Sequence, residues 1–209
     1  MTRLYAILAA VVVAALIAGG ALWTYLRAPE DQFAQCRESR VAGGMGNIGG
    51  PFTLVDENGK TVTNKEVITK PSLIYFGYTF CPDVCPADTA RNAETVDLLE
   101  KRGYDVKPIF ISVDPERDTP EVVREFTDYL HPRMLGLTGS LDQVKAASKA
   151  YRAYFRKQDG GDPEYYLVDH STFTYLVLPG HGTVEFFRRA ATPEEMATRS
   201  ACFIDAAGE

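Results

Sequence analysis

The chain has 209 residues, 45% of them hydrophobic, with 22 Lys and Arg against 28 Asp and Glu for a net charge of −6. That length holds one domain of ordinary size plus an appendage, and such a body buries a core without needing disulfide staples. The acidic balance lacks the basic bias that tracks phosphate backbones, so nucleic acid is excluded as an expected partner.

From the N-terminus, Leu4 to Leu26 carries no charge and is nearly all Ala, Val, Leu and Ile. At about 1.5 Å rise per residue it is long enough for a hydrocarbon core of roughly 30 Å. We expect a membrane anchor over residues 1–27. Arg3 precedes the run, while Glu30 and Asp31 follow Arg27, which favours a cytoplasmic N-terminus and an exported body. Gly19-Gly20-Ala21 offers a cleavage site for the alternative, a signal peptide, but signal-peptide cores run only about 7–15 residues. Residues 28–50 read as a Gly-rich arm. Within it Gly44-x-Gly46-x-x-Gly49 matches the dinucleotide fingerprint by letter. That fingerprint needs a strand before it and a helix after it; a polar arm precedes this one and a strand pattern follows, so it reads as a chance match.

Phe52–Val55 and Thr61–Thr63 flank Asn58-Gly59, the pattern of a β-hairpin. Leu73–Tyr78 is a continuous apolar strand of the kind buried on both faces. Ala87–Arg102 suits a helix closed by Gly103, and Val106–Val113 is the next strand. Thr119-Pro120 starts a helix as N-cap and first turn. Leu141–Phe155 reads as a further helix, Tyr175–Leu178 with Thr183–Phe187 as a hairpin, and a last helix begins near Pro193. The alternation predicts an α/β sandwich around a mixed sheet, one domain over 51–209.

Cys81-Pro82-Asp83-Val84-Cys85-Pro86 follows the apolar strand directly. Two thiols four residues apart, about one helical turn, suit a reversible disulfide or a pair of thiolates sharing a soft metal ion. Pro86 fits the first turn of a helix, and Asp88 is expected in that turn as well. This puts Cys85 near the N-cap and Cys81 just before it, where backbone N–H groups lower the pKa of both sulfurs. A bridge across so short a loop removes little chain entropy. The pair also sits at a strand's C-terminal end, where open α/β sheets place their sites, so we expect it to be functional.

Tyr75-Phe76-Gly77-Tyr78-Thr79-Phe80-Cys81-Pro82-Asp83-Val84-Cys85-Pro86 resembles the signature of the Sco/SenC family, and Val113-Asp114-Pro115-Glu116-Arg117-Asp118-Thr119-Pro120 and Val168-Asp169-His170-Ser171 match its two other landmarks in the same order. The resemblance runs from about Gly49 to the last helix. It implies a membrane-anchored, thioredoxin-like fold that binds one copper ion and supports assembly of the CuA centre of cytochrome c oxidase. It also implies that Cys81, Cys85 and His170 are the copper ligands. The implied partners are the copper-accepting oxidase subunit, the membrane, and an upstream copper donor protein. The implied location is the inner membrane, single-pass, with the body in the periplasm or the equivalent intermembrane space.

Ligand chemistry agrees. Two thiolates favour Cu(I), and an added imidazole makes a site that Cu(II) accepts. The alternative is a thiol-disulfide oxidoreductase in which Cys81 and Cys85 are the redox-active pair and reduce the cysteines of the copper-accepting subunit. A third reading is a peroxidase, with a thiolate attacking peroxide. Asp169 is expected either to orient the imidazole or to hold a turn. His131 and His181 read as surface residues. Asp114–Asp118 reads as helix capping and loop solvation, or as an acidic docking edge. Cys36 and Cys202 either pair, tying the arm to the last helix, or remain as free thiols, or supply a resolving cysteine.

Overall fold

The computed structural model describes residues 2–26, 31–37, 45–158 and 165–208. The chain divides into two compact units, Met1–Gln32 and Phe33–Glu209. In the first, α1 (Thr2–Leu26) is a single helix of 25 residues. Its stretch Arg3–Trp23, with mean hydropathy 2.4, is long and apolar enough to cross a membrane. Arg27 and Glu30, part of the charge pattern behind the expected orientation, lie outside the described residues, as do 38–44 of the arm and so Gly44 of the fingerprint.

The second unit is built on a seven-stranded sheet. Its strands are β1 (Thr53–Asp56), β2 (Thr61–Thr63), β3 (Ser72–Gly77), β4 (Lys107–Ser112), β5 (Leu135–Thr138), β8 (Thr174–Leu178) and β9 (Gly182–Phe187), in the order β2-β1-β5-β4-β3-β8-β9. β3, β4 and β5 are parallel; β1 joins β5 and β8 joins β3 antiparallel, and β2 and β9 pair antiparallel with β1 and β8 in turn. A separate two-stranded sheet joins β6 (Phe155–Lys157) to β7 (Val168–His170). The helices are α2 (Asn64–Val67), α3 (Val84–Lys101), α4 (Pro120–Leu130), α5 (Leu141–Ala150) and α6 (Pro193–Ala207). This is the expected thioredoxin-like α/β sandwich with an N-terminal hairpin.

All six residues of β3 are buried, so the strand alternates between two covered faces. Leu73 packs with Val96 and Leu99 of α3 and Met196 and Phe203 of α6. Phe76 faces the other way, its ring 5.4 Å from that of Tyr151 just beyond α5. Two expected helix ends stand: Thr119 caps α4 by accepting the Val122 N–H, and Gly103 closes α3 at φ +92°. The first hairpin pairs Thr53 with Thr63, but only Gly59 of Asn58-Gly59 has positive φ. The turn is therefore a type I turn ending in a left-handed glycine, not the two-residue mirror turn. A short 3-10 turn, Met45–Asn47, lies within the glycine motif of the arm, and the next element is β1, not the helix a fingerprint requires.

The helix expected over Leu141–Phe155 is shorter. It stops at Ala150, and Arg152 takes φ +52°. The Ala153 N–H reaches the Ser148 carbonyl and the Arg152 N–H the Lys149 carbonyl, a Schellman ending without the usual glycine. Phe155, expected to end the helix, instead opens β6. Arm residues Phe33, Cys36, Met45 and Ile48 are buried in this unit, and Cys36 is bridged to Cys202 of α6 with Cα atoms 5.7 Å apart.

Candidate metal centre

β3 delivers the chain at the C-terminal edge of the sheet, and residues 78–83 turn it into α3. The turn is fixed from below by Asp118, which is fully buried. Its carboxylate accepts the Thr79 N–H at 3.1 Å and the Thr79 hydroxyl at 2.6 Å, and a hydrogen bond from Ser112. Burial raises its pKa, against these hydrogen bonds. Asp114 is likewise turned inward, accepting from Arg117 and from the Tyr166 hydroxyl, each at 2.6 Å. Both aspartates are thus internal struts rather than solvated loop charges, because their partners lie inside the fold, while Glu116 between them stays exposed.

The helix begins at Val84, two residues earlier than an N-cap at Cys85 implies. Asp83 is the N-cap residue but makes no side-chain cap; instead the Cys81 sulfur accepts the Cys85 N–H at 3.3 Å. Sulfur thus takes the place that an N-cap oxygen ordinarily fills. Both thiols are free and buried. Their acidities separate rather than fall together. A hydrogen bond from the Cys85 thiol, joined by the N–H groups of Cys85, Asp83 and Val84, lowers Cys81 to about 4 against the effect of burial. Cys85 is pushed up, first by that same hydrogen bond and then by burial. One thiolate is stabilised, and its neighbour keeps a proton.

His170 arrives from β7. Its Nε2 lies 3.3 Å from the Cys85 sulfur and its Nδ1 2.9 Å from the Ser171 carbonyl. A carbonyl only accepts, so Nδ1 carries the hydrogen and Nε2 presents a lone pair to the sulfur. The donor atoms of Cys81, Cys85 and His170 all lie within 4.8 Å of one another, and they are the one such group of three among the described residues. Two soft sulfurs and one nitrogen, brought from the start of a helix and from a separate hairpin, suit a thiophilic ion.

Sequence reasoning missed the tyrosines around this cluster. Tyr75 and Tyr78 meet the imidazole edge-on, with ring centroids 6.1 and 5.7 Å away. The Tyr75 hydroxyl donates to Asp88 at 3.1 Å. Asp88 is therefore not a first-turn dipole partner; it is buried, with Arg189 at 3.3 Å on its other side. The available signal was a hydroxyl inside an otherwise apolar strand, since a buried tyrosine needs a partner. Gly77 was also passed over, though a Cβ there would lie 3.1 Å from the Cys85 sulfur.

Other expected roles fall differently. Asp169 does not orient the imidazole; it accepts from Gln158 at 2.7 Å across the hairpin. His131 is not a surface residue: it is 6% exposed and pairs with Asp97 at 3.2 Å. His181 is exposed in its turn, as expected, against the Phe33 ring.

A family model described as SCO1/SenC matches residues 41–205. Protein SenC of Rhodobacter capsulatus is 57% identical over 176 residues, covering 84% of this chain and 79% of that protein. The crystal structure of Arabidopsis thaliana ScoI with copper bound superposes with a TM-score of 0.72 at 39% identity, over 76% of this chain and 99% of that one. BsSco, described as a member of the Sco family of cytochrome c oxidase assembly proteins with a disulfide switch, gives a TM-score of 0.59 at 26% identity, over 78% and 98%.

Proposed function

This chain belongs to the SCO1/SenC family, and from that premise we propose that it is a membrane-anchored copper metallochaperone. It binds one copper ion through Cys81, Cys85 and His170 and passes it to the copper-accepting subunit of cytochrome c oxidase during CuA assembly. The observation that carries this reading is the convergence of two sulfurs and one bare imidazole nitrogen within 4.8 Å. Copper is cargo here. Cu(I) is satisfied by the two thiolates, and the imidazole nitrogen extends the site to Cu(II). Binding displaces the proton that Cys85 retains.

In the same reading residues 1–27 are the anchor, 28–50 the arm and 51–209 the copper-binding domain. The helix α1 supports a single pass of the inner membrane, with the body in the periplasm or its equivalent, where it meets the oxidase subunit and an upstream copper donor protein.

A second reading is favoured by one observation, the unequal acidities of the two cysteines. A stabilised thiolate beside a protonated partner is what a thiol-disulfide oxidoreductase uses to reduce a substrate disulfide. Metal analysis separates the two. Protein reduced anaerobically and loaded with copper should hold one equivalent, and Cys81→Ser and Cys85→Ser should each lose it. Reduced wild-type protein that retains no stoichiometric copper would leave the oxidoreductase reading.

A further inference from the structure

We infer that Tyr78 is a positioning residue for His170, and that its hydroxyl sets how firmly the site holds Cu(II) while leaving Cu(I) to the cysteines. The inference rests on the reading that Cys81, Cys85 and His170 are the copper ligands.

His170 stands on β7, and among the described residues β7 pairs only with β6, in a sheet separate from the seven-stranded one. No main-sheet ladder therefore fixes the imidazole against the cysteines. Contacts from the body must do so. One is the Val168 N–H, which donates to the Tyr78 hydroxyl at 3.3 Å in a buried setting two residues before His170. Another is the Tyr166 hydroxyl on Asp114 at 2.6 Å. Of the two, only Tyr78 also touches the site. Its ring meets the imidazole edge-on at 5.7 Å and 90°.

Tyr78 is a rigid post. It follows β3, which is paired on both sides, by β4 and by β8. The residue itself is 3% exposed. One side chain thus meets the imidazole with its ring and holds the strand that carries it with its hydroxyl. Phenylalanine at this position would keep the ring against the imidazole and remove only that hold. The Val168 N–H would be left buried without an acceptor, a condition that proteins relieve by shifting the backbone or admitting water. Metal ligands must be held within about 0.5 Å of their working positions, so a small shift of β7 takes Nε2 out of reach. Two thiolates still suffice for Cu(I); Cu(II) needs the nitrogen.

The test is paired Cu(I) and Cu(II) titration of wild type, Tyr78→Phe and His170→Ala, with absorption in the thiolate-to-Cu(II) charge-transfer region and electron paramagnetic resonance. For Tyr78→Phe we expect Cu(I) affinity within about threefold of wild type. Cu(II) affinity should be about tenfold weaker, with altered charge-transfer and resonance spectra. Unchanged Cu(II) affinity and spectra in Tyr78→Phe, alongside their loss in His170→Ala, would overturn this inference and leave the ligand set standing. Equal weakening of both oxidation states in Tyr78→Phe would overturn it too, as a general effect on the fold. Unchanged Cu(II) binding in His170→Ala would instead overturn the ligand reading itself. Hydrogen exchange on the wild-type protein gives a check free of any folding defect: the Val168 amide should be protected, and fast exchange there would also overturn the inference.

Discussion

The Nε2 of His170 and the sulfur of Cys85 are 3.3 Å apart although 85 residues separate them in the chain. The imidazole is turned that way because its other nitrogen is committed to the Ser171 carbonyl at 2.9 Å. Ring orientation is set before any ion arrives, which is how a metal site avoids the cost of ordering its ligands on binding.

Cys81 should alkylate as a thiolate well below the usual thiol range. Its pKa is lowered to about 4, so its deprotonated form persists above that value and is lost as pH falls through it. Iodoacetamide reactivity at Cys81, followed by peptide mass spectrometry in Cys85→Ser and wild type, should be nearly flat from neutral pH down to about 5.5 in the wild type. In Cys85→Ser the thiol donor is replaced by a hydroxyl and the plateau should persist. A wild-type rate that climbs about tenfold per unit up to pH 8.5, as an ordinary thiol does, would contradict the assignment.

Copper and a Cys81–Cys85 disulfide should exclude each other, since both use the same sulfur valences. Protein oxidised at this pair should take up much less copper than the reduced form, and bound Cu(I) should shield both thiols from alkylation. Equal uptake by the two forms would place the copper elsewhere.

Gly77→Ala should damage the site from beneath. The new Cβ would lie 2.8 Å from a Tyr75 ring carbon, closer than real Cβ contacts run, and 3.1 Å from the Cys85 sulfur, tighter than most. Overpacking of this kind costs about 1–3 kcal/mol, and here it also presses on the sulfur of a proposed ligand. Thermal unfolding and Cu(I) competition titration should both register the change. A variant with wild-type melting and affinity would mean that the sulfur has room to move.

Cys202→Ser should lower stability and spare copper. The bridge closes a loop with a sequence separation of 166. In the chain-entropy model such a loop contributes about 5 kcal/mol, an upper figure that strain and residual structure reduce. For a unit of this size each kcal/mol is about 2–4 °C of melting temperature. Calorimetry should therefore show a drop of several degrees with one copper still bound. Cys36 freely alkylated in unreduced, folded protein would remove the basis for this.

Membrane fractions should retain the full chain through high-salt and carbonate washes, because burial of the apolar Arg3–Trp23 stretch is insensitive to salt. A soluble product beginning near residue 22 would identify a cleaved signal instead.

Much was legible before any coordinates. An uncharged apolar run, a buried strand, capped helix starts and paired cysteines are local patterns, and local patterns follow from dihedral preference and periodicity. One helix boundary was missed for a local reason. Leu141–Phe155 looks continuous because Ala, Tyr and Phe keep a helical spacing, and only the left-handed Arg152, held by carbonyls of Lys149 and Ser148, ends the helix.

The sequence by itself determined the two sulfurs, their place at a strand's end, and the anchor-like N-terminus. Only the tertiary structure decided which residues serve that site. Asp114, Asp118 and His131 look like surface charges in the chain, and folding turns all three inward onto partners from other segments. The unequal acidities of Cys81 and Cys85 likewise depend on which sulfur receives the helix N–H groups, a matter of where the turn directs each side chain. The links between Tyr78 and Val168, and between Tyr75 and Asp88, join residues by hydrogen bonds of a few ångströms' reach. Such short-range forces leave no periodic trace in a sequence; they act only once the fold has brought their partners together.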